Sequence, residues 1–231
     1  MNVGPESKKP GSLPRLAGWL ATVLVPIVLV FLGIRLLLTD AFLHIEYRLP
    51  GFPADSYGFT LQDRLQYASL SLRYLNTAAD ISLLGDQTFP DGSPLFNARE
   101  LSHMQDVKNV IRPAMGVGLG LALALALLLV LAWRFRWLPV VLSGVRRGGW
   151  VTVALVGTMA ILGVLSFWQF FTVFHSLFFE GDSWLFLYSD TLIRLFPMRF
   201  WQDAFLFAGI VTIGGGLVLG LALRPKGGPQ G

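Results

Sequence analysis

The chain of 231 residues contains no cysteine, which removes disulfides, thiolate metal ligands and cysteine nucleophiles together. Charge is scarce as well: Asp, Glu, Lys and Arg make up 14% of the residues, against roughly a quarter in soluble domains. Histidine occurs three times, at His44, His103 and His175. These positions are too widely separated for the close histidine pairs of a metal site, so no metal or other cofactor is expected. The glycine-rich piece Gly116-Val-Gly-Leu-Gly lies inside an apolar run and is no phosphate loop. Basic residues flank apolar runs instead of forming a patch, which excludes a nucleic-acid partner.

What the chain has in excess is apolar surface. Hydrophobic residues make up 54% and the mean hydropathy is +0.60, which excludes a soluble enzyme, a secreted disulfide scaffold and a disordered chain. Four runs, each of about 20 residues or slightly more, are long enough to cross a hydrocarbon core about 30 Å thick. They divide the chain into a tail 1–15, transmembrane helix 1 at 16–38, a cap at 39–112, transmembrane helix 2 at 113–133, a basic loop at 134–149, transmembrane helix 3 at 150–173, a loop at 174–203, transmembrane helix 4 at 204–223 and a tail 224–231. The expected fold is an all-α polytopic membrane protein: four transmembrane helices with a partly helical extracytoplasmic cap between spans 1 and 2.

The distribution of Lys and Arg predicts the orientation. Segments 1–15, 134–149 and 224–231 hold nine basic residues and one acid, Glu6, whereas 39–112 and 174–203 hold eight basic residues and thirteen acids. Both termini and the short loop are therefore expected on the cytoplasmic side, with the cap and the 174–203 loop outside. The tryptophans agree: Trp19, Trp133, Trp137 and Trp150 fall at one boundary, and Trp168, Trp184 and Trp201 at or near the other. Gly116 with Gly120, and Gly216 with Gly220, have the small-xxx-small spacing of close helix contacts, although glycine is common in membrane helices anyway. Arg35, the one charge within a span, lies a turn from its outer end, where snorkelling to the interface is the expected role.

With so bland a membrane core, chemistry is expected in the outer segments. Thr60 and Asp63 form a capping pair ahead of the stripe Leu61, Leu65, Ala68, Leu72 and Leu75. Asn97 and Glu100 have capping-box spacing ahead of a second helix through Ile111, the stretch Gly85–Pro94 between the two is rich in turn residues, and Pro113 marks the entry to span 2. All three histidines fall on this side. His44 has nothing beside it that suggests chemistry. His103 has Glu100 three residues earlier on the same helical face, placed to accept a ring N–H and raise the basicity of the other nitrogen. His175 sits among Phe170, Phe171, Phe174, Phe178 and Phe179, where a neutral imidazole can take a proton and return it. The pattern points to acid–base chemistry on a lipid headgroup or ester. Partner binding through the cap without catalysis, and action on another lipid ester, remain alternatives.

Longer motifs carry a resemblance. Tyr57-Gly-Phe-Thr-Leu-Gln-Asp-Arg64, Tyr74-Leu-Asn76 and Leu95-Phe-Asn-Ala-Arg-Glu-Leu-Ser-His-Met-Gln-Asp-Val-Lys108 in the first half, with Phe174-His-Ser-Leu-Phe-Phe179, Asp190-Thr-Leu-Ile-Arg-Leu-Phe-Pro197 and Phe200-Trp-Gln-Asp203 in the second, resemble the bacterial lipoprotein intramolecular transacylases and their relatives of unassigned function. The likeness covers most of the chain between the first fifteen and last eight residues. It implies a multi-pass enzyme of the bacterial cytoplasmic membrane whose partners are membrane lipid and a diacylated lipoprotein substrate. Such enzymes move the sn-2 acyl chain of the diacylglyceryl-cysteine to the cysteine α-amine, giving a lyso-form lipoprotein. The resemblance implies catalytic roles for His103 and His175. Glu100 and Asp106 are supporting candidates, and Asn97, Lys108 and Arg194 are candidates to polarise the carbonyl or hold an oxyanion.

Overall fold

A computed structural model of the protein describes residues 11–223; the terminal segments 1–10 and 224–231, with all of the tail charges expected to orient the chain except Arg15, lie outside the described residues. The regular structure is helical: α1 (Ser12–Leu37), α2 (Asp40–Glu46), α3 (Leu61–Asn76), α4 (Ser82–Gly85), α5 (Ala98–Arg134), α6 (Leu138–Leu165), α7 (Phe167–Phe178), α8 (Thr191–Leu195) and α9 (Met198–Ala222). Among the described residues four helices, α1, α5, α6 and α9, are long and apolar enough to cross a membrane. This is the expected all-α polytopic membrane fold, and α2, α3, α4, α7 and α8 gather with the first turns of α5 into a cap at one end of the bundle.

Within lipid there is no hydrophobic force to draw helices together, so close packing of small residues has to do it. Helix α1 packs on α6, α9 and α5, and α6 also packs on α9. A Cβ placed on Gly144 of α6 would lie 2.0 Å from the Gly18 carbonyl oxygen of α1, and one on Gly149 would lie 2.5 Å from the Gly216 carbonyl oxygen of α9. Between α1 and α6 the Thr22 hydroxyl sits 3.0 Å from the Gly18 carbonyl oxygen and 3.1 Å from that of Gly144, donating across the buried seam. Of the two glycine pairs, Gly216 and Gly220 are engaged, against Gly149 and Trp150, whereas Cβ atoms on Gly116 and Gly120 would meet open space.

Three boundaries differ from the sequence expectation. The cap helix from Asn97 and transmembrane helix 2 are one helix, α5, of 37 residues. It runs unbroken through Pro113, whose missing N–H would have bonded the Asn109 carbonyl; Asn109 is exposed, so water can take that place. At about 1.5 Å per residue α5 is about 55 Å long, nearly twice the thickness of a hydrocarbon core, so it is longer than a span requires. The expected basic loop 134–149 is only the turn Phe135–Trp137, and α6 begins at Leu138 with Pro139 in its first turn. Its arginines ride on the helix: Arg146 donates to the Gly220 carbonyl, and Arg147 lies 5.0 Å from the Trp19 ring centre. Expected transmembrane helix 3 is divided at Ser166, which is extended (φ −156°, ψ 90°), into α6 and a separate helix α7. Hydropathy runs through this break without a change, so composition alone reads one span.

Two apolar cores build the cap. One joins Phe42, Leu43 and Tyr47 near α2 to Leu65, Ala68 and Leu72 of α3 and to Phe200 and Ala204 of α9. The other joins Tyr74 and Leu75 of α3 to Leu84, Leu95, Phe96, Met104 of α5, and Leu192 and Leu195 of α8. Both capping boxes form: Thr60 with Asp63 opens α3, and Asn97 with Glu100 opens α5. Because Gly144 brings two backbones into contact, Gly144→Val should destabilise the bundle by about 1–3 kcal/mol. Gly120→Ala, on an open face, should leave stability unchanged; thermal melting followed by tryptophan fluorescence in detergent distinguishes the two.

Candidate active site

Helix α7 is built largely of aromatic residues, and its period puts Phe171 and His175 on one face. His175 is buried, and its Nδ1 lies 2.8 Å from the Phe171 carbonyl oxygen. A carbonyl can only accept, so Nδ1 carries the proton and Nε2 keeps a free lone pair in the neutral ring. The ring packs against Phe171 at 4.0 Å between centres, Trp184 at 4.8 Å and Phe179 at 5.7 Å. After α7 the chain turns through Gly181, at φ +58°, a conformation that glycine adopts without the steric cost borne by other residues. The turn returns Trp184 and Phe186 over the site.

His103, two turns into α5, comes from the other extramembrane segment. Its ring centre is 4.9 Å from that of Phe179 and 5.3 Å from that of Phe186. Phe179 therefore touches both histidines, and the two imidazoles share one aromatic chamber. The Nδ1 of His103 is buried with no hydrogen-bond partner among the described residues. Burial pushes the His103 imidazole down to about 4, assisted by the nearby His175. Burial also lowers His175, against the opposing effect of its bond to the Phe171 carbonyl. At neutral pH the chamber thus contains two uncharged imidazoles, each able to accept a proton.

The other expected site residues occupy different places. Glu100 does not serve His103. Its two oxygens accept from the Asn97 N–H at 2.8 Å and the Leu192 N–H at 2.6 Å, so the backbone takes the carboxylate expected to orient the ring. Asn97 caps α5 and donates to Asp190, 3.2 Å away. Lys108 has its ammonium 3.8 Å above the Tyr74 ring centre and donates to the Ala79 carbonyl. Arg194 is buried in an ion pair with Asp55 at 3.0 Å, donates to the Tyr57 carbonyl and lies 3.5 Å above the Phe59 ring centre. These two cations and one amide are thus each held by partners within the cap. Asp106 is exposed on α5. His44 lies apart, its Nδ1 2.9 Å from Arg48.

Trp184, expected in the interfacial belt, is buried against His175. The aromatic spacing Phe179, Trp184, Phe186 around Gly181 is the only trace of this in the sequence. The partnership of Asp55 with Arg194, separated by 139 residues, leaves no such trace. Burial alone would raise the Asp55 carboxyl, yet hydrogen bonds from Arg194 and the Phe59 N–H hold it below the usual carboxylate range.

The model of the family described as lipoprotein intramolecular transacylase Lit matches residues 19–201. An uncharacterized protein of Aquifex aeolicus (strain VF5) is 28% identical over 204 residues, covering 86% of this chain and 88% of its own. Among solved structures, lipoprotein intramolecular transacylase Lit from Bacillus cereus superposes with a TM-score of 0.60 at 17% identity, covering 91% of this chain and 94% of that one. A histidine-to-alanine variant of the same protein gives a TM-score of 0.68 at 16% identity, with 92% of each chain covered.

The geometry sets two expectations about stability. Arg194→Ala would leave Asp55 buried without its cation and should cost about 3–5 kcal/mol, read from the midpoint of denaturation. The second concerns pH. The lowered His103 makes the folded state bind fewer protons than the unfolded state, so its contribution is complete above the ordinary imidazole value and is lost as pH falls toward about 4. Glu46, raised to about 7 by burial and by Asp203, has the opposite sign and stabilises on acidification. Comparing wild type with His103→Phe cancels the Glu46 contribution. The wild type should lose melting temperature relative to that variant as pH is lowered from about 7 to about 4.

Proposed function

The chain belongs to the lipoprotein intramolecular transacylase Lit family, and we propose that it transfers the sn-2 acyl chain of a diacylglyceryl-cysteine lipoprotein to the α-amine of that cysteine. The observation that carries this reading is the pair of uncharged imidazoles, half-buried His103 and buried His175, that both pack on Phe179. We further propose that both termini lie in the cytoplasm of a bacterial cell and that the cap and the histidines face outward, where lipoproteins reside; the charge asymmetry of the loops supports this.

The reaction needs an uncharged amine, a base and an acid. The carbon–nitrogen bond forms as the amine attacks the sn-2 ester carbonyl, and the bond from that carbonyl to the glyceryl oxygen breaks. One proton moves from nitrogen to oxygen, so the product has the mass of the substrate. An aromatic chamber favours the uncharged amine just as it favours the uncharged imidazole, because burial penalises the ammonium. With Nδ1–H held by the Phe171 carbonyl, the Nε2 of His175 is the basic atom, able to take the amine proton and deliver it to the departing oxygen. His103, which lacks a carboxylate partner, is the second proton carrier. Amine and ester belong to one molecule, so positioning supplies much of the acceleration and no acyl-enzyme is required. Phe171, Phe179 and Trp184 exclude water, which would otherwise hydrolyse the ester.

His175→Ala and His103→Ala should each lower the rate by about 10²–10⁴-fold, the usual contribution of a general acid–base group. The assay is tandem mass spectrometry of a diacylated reporter lipoprotein in a host lacking its own N-acylation. Fragments of N-acyl cysteine with monoacylglycerol are expected from wild type, and diacylglyceryl cysteine with a free amine from either variant. Persistence of the diacylglyceryl form with well-expressed wild type would overturn this substrate. Full activity in both histidine variants would overturn the mechanism.

A further inference from the structure

Arg35 is the one charged residue in the apolar stretch 16–38, and its exposed side chain makes a single hydrogen bond, at 3.2 Å to the Leu38 carbonyl. It lines an open groove of about 790 Å³ between the cap-side end of α1 and helix α3. Across the groove Arg73 of α3 is also exposed, and no salt bridge to either arginine forms among the described residues. Gln66, Ser69 and Asn76 add donors, while Leu38, Leu70 and Leu72 supply apolar lining. Asp40 is the only acid in the lining, so the groove has a net positive charge. Below Arg35, Leu32 of α1 is exposed in the span itself.

We propose that this groove binds the phosphate of a membrane glycerophospholipid, held between the guanidinium groups of Arg35 and Arg73, with the acyl chains along α1 past Leu32. The depth of the site selects the ligand. A phosphate diester meets two guanidiniums with charge-assisted hydrogen bonds, and only a molecule that is anionic above and apolar below satisfies both the groove and the helix beneath it. The groove is lined by none of the residues of the histidine chamber. A lipid seated there would brace α3 against α1. The inference is independent of the transacylase reading, and its test involves no turnover.

The test is native mass spectrometry of the full chain in detergent, titrated with phosphatidylglycerol, with uncharged diacylglycerol and with inorganic phosphate. The wild type should retain one phosphatidylglycerol that R35Q/R73Q binds about tenfold or more weakly, the loss expected for removing charge-assisted hydrogen bonds. R35K/R73K should keep most of the affinity, since a phosphate also accepts point charges. The single variants R35Q and R73Q should each show part of the loss and supply the answer if the double variant does not fold. Unchanged phosphatidylglycerol affinity in the glutamine variants overturns the proposal. Diacylglycerol binding as tightly as phosphatidylglycerol also overturns it, because the phosphate would then contribute nothing. Displacement of the lipid by an equal concentration of inorganic phosphate overturns the lipid assignment in favour of a free-phosphate site.

Discussion

Glu100 is 1% exposed, and both of its oxygens are committed to backbone N–H groups, one at the start of α5 and one at Leu192 of α8. A buried carboxylate is costly unless it is fully hydrogen-bonded, and the second N–H group comes from a residue 92 positions along the chain from Glu100. Burial raises the Glu100 carboxyl, and these bonds oppose that rise. Around it Thr191 donates to the Leu95 carbonyl, and Tyr47 to the Leu195 carbonyl at 2.9 Å. The cap thus becomes one body, and the loop carrying Trp184 and Phe186 is held over His103. Without this junction the two histidines would belong to separate segments of chain.

Division of labour among the charges follows from the same logic. Arg194, Lys108 and Glu100 are all buried, and each is matched by a carboxylate, carbonyl groups, aromatic faces or backbone N–H groups. They fix the cap. The chamber they enclose is left aromatic and uncharged, with imidazoles as its titratable groups. Such a site keeps imidazoles neutral, because burial penalises their charged form. A carboxylate beside His103 would raise that ring's proton affinity and work against this poise.

The bundle below is held differently. Its helices meet through glycine contacts between α1, α6 and α9, while α5 presents Gly116 and Gly120 to open space and touches the bundle mainly through α1. Glycine spacing in the sequence was the same for both pairs. What separates them is the rotation of each helix, which depends on neighbours that a linear pattern does not name.

The four apolar stretches, the two capping boxes and the three histidines were legible in the sequence because each depends on local chemistry. Span length is a matter of hydrocarbon thickness, a capping box needs only four residues, and the motifs around His103 and His175 are contiguous. The helical break at Ser166, the continuity of α5 through Pro113 and the burial of Trp184 were not legible, since composition barely changes across any of them. Nor could Glu100 be separated from His103 on pattern alone: three residues apart on one face, they have the spacing of partners, yet Leu192 and Asn97 take the carboxylate. The sequence determined that this is a four-span helical membrane protein with a partly helical cap. The tertiary structure decided which groups meet there, because a buried polar atom takes whichever partner the packing brings nearest, and that partner can lie anywhere in the chain.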